Sequence, residues 1–215
     1  MKLVFLGPPG AGKGTQAAFI AEAAGIPTIS TGAMLRAAIA QKTELGLQAQ
    51  SFIDKGELVP DEVVIGIVRE RLTESDCQAG YILDGFPRTV AQAEALDQML
   101  PDAIDVALSL EVPDEDIIRR LTGRRECEQC KATFHIENNP SREGDRCDKC
   151  GGKLVQRADD TVETIQNRMA VYHRQTEPIK DYYKAQGKLT CVSGVGSVHE
   201  ITKALFAALG IEEKL

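Results

Sequence analysis

Residues Leu3 to Ala24 read "LVFLGPPGAGKGTQAAFIAEAA". Leu3 to Leu6 is a short continuous apolar run, the pattern of a strand buried on both faces, and Thr15 to Ala24 carries a helical pattern. Between them lies a loop with glycines at Gly7, Gly10 and Gly12 and a lysine at Lys13. Such a loop lets successive backbone N–H groups point into one concavity, and the helix that follows adds about half a positive charge at its N-terminus. Lys13 supplies a full, mobile charge. An ordinary Gly/Pro turn is the simpler reading, but the glycines and the lysine fall in register with the phosphate-loop pattern GxxxxGK[ST], in the strand-to-helix setting that pattern needs. One position departs: Gly14 stands where the pattern asks for a hydroxyl, which appears instead at Thr15. In many nucleotide hydrolases the hydroxyl directly after the lysine ligates Mg²⁺. Here that ligand is missing.

The 215 residues are 43% hydrophobic, enough for one sizeable core. Lys and Arg number 25 against 32 Asp and Glu, a net charge of -7, which argues against a general binder of nucleic acid or of anionic membranes. Any anion site must be basic locally. No run approaches the roughly 20 apolar residues that span a bilayer, and "LVFLG" is too short for the core of a signal peptide. The expectation is a soluble cytoplasmic protein.

Four more short apolar runs follow: "PTIS" ending at Ser30, "YILD" at Tyr81 to Asp84, "VALSLEV" at Val106 to Val112 and "LTCV" at Leu189 to Val192. Helical patterns alternate with them. Asp61 and Asp114 each stand before one, and Ser197 with Glu200 forms a capping box before another, which Gly210 is placed to stop. Alternation of this kind predicts an α/β fold, a three-layer sandwich around a five-stranded parallel sheet. Two stretches interrupt it. Residues 30–59 hold two helical patterns with no strand between them, and residues 123–160 are polar, rich in Gly and Cys, and free of helical period. Both read as insertions over the C-terminal edge of the sheet, where open α/β sheets place their ligands. The core is then residues 1–29, 60–122 and 161–215.

The second insertion carries Cys127, Cys130, Cys147 and Cys150, two CxxC pairs that suit a tetrahedral four-thiolate zinc site. A pair of disulfides is the alternative, disfavoured in a reducing compartment. Zinc would be structural, since four thiolates leave no open position. The segment has few apolar anchors, and metal binding worth roughly 10 to 16 kcal/mol in small finger peptides can replace a core. Its acidic residues, Glu126, Glu128, Glu137, Glu143, Asp145 and Asp148, leave no basic stripe for nucleic acid. Cys77, Cys191, His135, His173 and His199 are assigned no role.

The segments "GPPGAGKGTQA", "STGAMLR", "GELVPDE", "LDGFPRTVAQAEAL", "GRRECEQC", "QRADDTVETIQNRM" and "YHRQTEPI" together resemble the adenylate kinases with a long, zinc-containing lid, in the family's order and spacing across nearly the whole chain. The resemblance implies a P-loop core, an α-helical AMP-binding insertion at 30–59 and a zinc-ribbon lid at 123–160. It also implies reversible transfer of a phosphoryl group from Mg-ATP to AMP giving two ADP, by a monomer with no nucleic-acid or membrane partner. Mg²⁺ would then be held by the nucleotide and water, with Asp84 orienting part of the water shell. The family usually has Asp after "STG", where this chain has Ala33, so no metal contact is assigned to that loop.

The resemblance further implies ATP contacts at Gly10, Ala11, Gly12, Lys13, Gly14, Thr15, Arg120, Arg124, Thr133, Phe134 and Gly196. It implies AMP contacts at Thr31, Arg36, Glu57, Leu58, Val59, Gly85, Phe86, Pro87, Arg88, Gln92, Arg157 and Arg168. Lys13, Arg88, Arg124, Arg157 and Arg168 would stabilise the transferring charge; arginine suits this because its planar fork makes two charge-assisted bonds to phosphate oxygens. Arg120 would stack on the donor base. Arg119 and Arg125 read as surface charges. Asp159 and Asp160 read either as holding the arginines or as capping the helix that starts near Thr161. Other readings are a monophosphate kinase for a different base, a GTP-using AMP kinase, and a non-catalytic adaptor that binds nucleotide through the loop and a partner through the zinc ribbon.

Overall fold

The computed structural model describes residues 1–100 and 104–212. The apolar run at the N-terminus forms β1 (Lys2–Leu6), and the loop after it leads into α1 (Lys13–Ala24). Then come β2 (Thr28–Ser30), α2 (Thr31–Ala40), α3 (Glu44–Lys55), α4 (Asp61–Leu72), β3 (Tyr81–Asp84), α5 (Val90–Met99), β4 (Val106–Glu111) and α6 (Asp114–Thr122). The cysteine-rich stretch holds β5 (Arg124–Cys127), β6 (Thr133–His135) and β7 (Leu154–Val155), and the chain ends with α7 (Val162–Val171), α8 (Ile179–Ala185), β8 (Leu189–Ser193) and α9 (Val198–Leu209).

Five strands form one sheet in the order β2-β3-β1-β4-β8, and every pairing is parallel. Side chains alternate across β1: Val4 and Leu6 face a core shared with α2 to α5 and α8, while Leu3 and Phe5 face a second core shared with α1, α6, α7 and α9. Helices therefore cover both faces, as a parallel sheet requires. The connection from β1 goes to one side of the sheet and that from β3 to the other, so the crevice at the C-terminal end of β1 is the topological switch point.

The three short strands form an antiparallel sheet ordered β6-β5-β7, with a small core of Cys127, Phe134, Cys147 and Leu154. Between β2 and α4 lie only α2 and α3.

Several local expectations need correction. Helix α1 starts at Lys13, two residues before Thr15, because Gly12 takes the left-handed conformation (φ 98°) and turns the chain directly into the helix. Asp61 and Asp114 lie inside the first turns of α4 and α6, and Pro60 and Pro113 precede them; neither carboxylate caps its own helix. The expected capping box does form before α9, where Ser197 and Glu200 bond each other's backbone N–H, and Gly210 ends the helix in the left-handed conformation.

Candidate active site

The glycine loop closes over the N-terminus of α1. Gly7, at φ +131°, occupies a conformation open to glycine, and a Cβ there would stand 2.6 Å from the Leu110 carbonyl oxygen of the neighbouring strand. The Lys13 ammonium folds onto the loop, donating to the Gly7 and Pro8 carbonyls at 2.7 and 2.8 Å. Its pKa falls to about 8, first because it is buried and then because Arg88, Arg168 and Arg124 lie near; Asp84 opposes the shift. A Cβ at Gly14 would lie 3.7 Å from Asp84 Oδ2, so the seat of the missing hydroxyl adjoins this carboxylate, which also accepts from Ser30 Oγ at 3.2 Å.

A cleft of about 1510 Å³ runs over this loop and along the C-terminal edge of the sheet. Gly10, Ala11, Gly12, Lys13, Gly14, Thr15, Asp84, Arg120, Arg124, Thr133, Phe134, Gly196, Arg36, Gly85, Pro87, Arg88, Arg157 and Arg168 all line it. A contiguous recess of about 70 Å³ is lined by Thr31, Arg36, Glu57, Leu58, Val59, Gly85, Arg88, Gln92 and Arg168. Phe86 differs from the rest: it is 1% exposed, packs in the core and lines neither the cleft nor the recess, so the expected contact to AMP is not met by its side chain. The Phe86–Pro87 peptide is cis. Ala33 also lines the cleft and brings no carboxylate to it.

The arginines are held in place by identifiable partners. Arg124 grips Asp160 with two bonds, Nε to Oδ2 at 2.8 Å and Nη2 to Oδ1 at 2.6 Å. Arg168 Nη1 reaches Asp159 Oδ2 at 2.9 Å and Asp160 Oδ1 at 3.2 Å. Arg157 pairs with Glu126, and Arg88 Nε donates to the Gly85 carbonyl at 2.9 Å, which also accepts from Thr31 Oγ1 at 2.8 Å. Arg120 bridges the Ala11 and Gly194 carbonyls at 3.2 and 2.8 Å, tying the glycine loop to the end of β8. Of the two readings of Asp159 and Asp160, the structure gives the first: both hold arginines, and the cap of α7 is Thr161, whose side chain accepts from Thr164 N.

The charge crowding is visible in the ionisation. Burial lowers Arg36 to about 10, helped by Arg157 and Arg124, and burial likewise lowers Arg88 and Arg168. Asp159 is lowered as well, but by its charged neighbours. Burial raises it, but Arg168, Arg124, Arg36 and Arg157 together bring its carboxyl below the usual range.

Away from the cleft, the four clustered cysteines are free thiols whose sulphurs all lie within 4.8 Å of one another, with Cys127 to Cys150 and Cys130 to Cys147 both at 3.5 Å. A tetrahedron built on metal–sulphur bonds of about 2.3 Å has edges of about 3.8 Å. The cluster is compatible with zinc. Backbone N–H groups of Cys130 and Gln129 hold the Cys127 thiol down to about 6, favouring the thiolate a metal needs. His135 lies outside the cluster and its Nδ1 accepts from the Glu137 and Asn138 amides.

The family model for adenylate kinase matches residues 5–188. The chain belongs to the adenylate kinase family. Among curated relatives, the adenylate kinase of Thermodesulfovibrio yellowstonii is 56% identical over 97% of this chain and 99% of its own. That of Archaeoglobus fulgidus is 54% identical over 97% and 98%, and that of Caldicellulosiruptor bescii 52% identical over 99% and 100%. Among the described residues no helix is long and apolar enough to cross a membrane.

Two carboxylates that support residues of the cleft and recess have no signature in the sequence. In the sequence Glu126 reads as one acidic residue of the ribbon among several, and in the structure it is the partner of Arg157. Asp61 reads as a helix start in the sequence, and in the structure its carboxylate accepts from Gln92 Nε2 and Thr89 Oγ1. Sequence spacing carries no signal for either, because both contacts join separate elements.

Proposed function

We propose that the chain is an ATP:AMP phosphotransferase that moves the terminal phosphoryl of Mg-ATP to AMP, reversibly, giving two ADP. The observation that carries this reading is the convergence of Lys13, Arg88, Arg124 and Arg168 on one cleft, whose two arms run to Gly196 on one side and to Gln92 on the other.

Phosphoryl transfer asks little covalent work of a protein and much positioning and charge neutralisation. The donor lies over the glycine loop, with Gly10 to Thr15 offering backbone amides to its phosphates and Lys13 leaving the loop carbonyls to meet them. Its base lies by Arg120, Thr133, Phe134 and Gly196. The acceptor enters the recess of Thr31, Arg36 and Glu57 to Val59, passes Gly85 to Pro87, and presents its base to Gln92. Arg88, Arg124, Arg157 and Arg168 then surround the group in transit, and no dedicated general base is needed.

Mg²⁺, bound with the nucleotide, would neutralise charge on the phosphates. Asp84 fits a role in its water shell, because the carboxylate stands beside the start of α1 with no hydroxyl from residue 14 between them. The four cysteines would hold a structural zinc that substitutes for the core the ribbon lacks, and the ribbon would shut over the donor to exclude water. A cysteine set spaced for zinc rather than for disulfides supports a cytoplasmic setting, and one chain that supplies both nucleotide arms supports a monomer.

³¹P NMR of the purified chain incubated with Mg-ADP tests the reading. ATP and AMP resonances should grow together; ADP that persists alone would overturn it and favour a non-catalytic nucleotide binder.

A further inference from the structure

We propose that Asp61 is a positioning residue that sets acceptor-base selectivity: by fixing which way the Gln92 amide faces, it makes the recess prefer a 6-amino purine monophosphate over a 6-oxo one. The inference rests on the reading of Gln92 as the side chain that meets the acceptor base.

Gln92 is 1% exposed and lies at the first turn of α5, lining the recess beside Val59 and Arg88. Its amide is held at both ends. Nε2 donates to Asp61 Oδ1 at 2.7 Å, and Oε1 accepts from the Arg88 backbone N–H at 2.7 Å. The other Asp61 oxygen accepts from Thr89 Oγ1 at 2.9 Å, and Thr89 in turn caps α5 by accepting from Gln92 N. An ionised carboxylate can only accept and a backbone N–H can only donate. Turning the amide over would set oxygen against oxygen at Asp61 and hydrogen against hydrogen at Arg88. Only one orientation satisfies both neighbours.

After those two bonds, one N–H on Nε2 and one lone pair on Oε1 remain. A 6-amino purine offers a donor at its exocyclic nitrogen with a ring acceptor beside it, and a 6-oxo purine offers the reverse order. For a base held in one place by the recess walls, an amide free to turn over would serve both patterns. A locked amide serves one. The discriminating element thus lies one residue behind the reading side chain, on a different helix.

Initial rates with Mg-ATP as donor, and with AMP or inosine monophosphate as acceptor, test this in the full chain. Inosine monophosphate reverses the hydrogen-bond order at the 6 and 1 positions and shares the ribose and phosphate contacts. The unaltered chain should favour AMP in kcat/KM by about 10- to 100-fold, the usual worth of a bidentate base contact. Gln92→Ala should erase most of that preference. Asp61→Asn, which lets the amide turn over, and Asp61→Ser, which removes the fixed acceptor, should each shrink the ratio by about 5-fold or more, through KM more than kcat. General damage to the site would lower both rates together and leave the ratio alone. A ratio that falls in Gln92→Ala but holds in both Asp61 variants overturns the proposal and leaves the reading of Gln92 standing. A ratio unmoved in Gln92→Ala removes both. Asp61 variants that lose both rates in proportion, or that do not fold, assign Asp61 to stability and overturn its role in selectivity.

Discussion

Asp160 is fully buried, yet it faces two guanidinium groups, so its replacement by asparagine isolates the worth of carboxylate support under the arginine cluster. In Asp160→Asn the side chain keeps its shape. It loses its charge, and one of its oxygens becomes an NH₂ that faces a donor. Three contacts are affected: two to Arg124, at 2.8 and 2.6 Å, and one to Arg168 at 3.2 Å. Breaking a buried pair by removing one partner costs about 3 to 5 kcal/mol. The low end applies here, because the Arg124 and Arg168 side chains are 15% and 19% exposed and Asp159 still holds Arg168 at 2.9 Å. About 3 kcal/mol in a chain of this size lowers Tm by about 6 to 12 °C. Scanning calorimetry without nucleotide reads this directly. Saturating nucleotide should recover more of Tm in the variant than in the unaltered chain, because phosphates then supply the counter-charge that the carboxylate supplied. Turnover of Mg-ADP should fall by about 10-fold or more, since Arg124 loses one of the two bonds that orient it and the other is no longer charge-assisted at the acceptor. A Tm within about 2 °C of the parent together with unchanged turnover would refute the reasoning.

Stripping the metal with a strong chelator should release one zinc per chain and raise hydrogen exchange across residues 123–160 before the five-stranded sheet; simultaneous loosening of both would mean that the ribbon's sulphurs support the whole fold. The Lys13 ammonium, lowered to about 8 chiefly by burial, is lost as pH rises through that value, so kcat/KM for ATP, which reports the free enzyme, should decline above about pH 8. Bound phosphates favour the charged form, so kcat should hold to higher pH, and a kcat/KM profile flat to about pH 9.5 would show that burial does not depress this lysine.

The parts of the fold legible in the sequence are those that local chemistry decides. The apolar run Leu3 to Leu6 followed by three spaced glycines and Lys13 admits few structures other than a buried strand, a phosphate-shaped loop and a helix, and Ser197 with Glu200 fixes the start of α9 within a single turn. What the sequence leaves open is where a polar side chain points once elements pack. Asp61 looks like any acidic residue at a helix start, and only the approach of α4 to α5 turns it toward Thr89 and Gln92. Asp159 and Asp160 precede a helix, as caps do, yet Thr161 takes the cap and frees them for Arg124 and Arg168. The π-helical turn at Tyr172–Thr176, between α7 and α8, follows from no local pattern, and neither does the tie from Arg120 to Gly194.

In a chain with a net charge of -7, three of the arginines that line the cleft are each paired with a carboxylate. Arg124 commits Nε and one Nη2 donor to Asp160, two of the five N–H groups a guanidinium carries, and the rest stay available to the cleft. Without such partners, Arg124, Arg157 and Arg168 would repel one another and the nearby Lys13 and Arg88, and their long side chains would scatter into solvent between turnovers. Each turn would then have to order them again, at about 0.5 to 1.5 kcal/mol per side chain. In the proposed reaction, carboxylates behind the arginines would remove that cost, because the donors would already stand where negative charge arrives. The cost is a weaker net pull on the nucleotides. Electrostatic support behind the arginines therefore serves turnover more than affinity, and this is why Asp160→Asn should lower kcat even where phosphates bind as well as before.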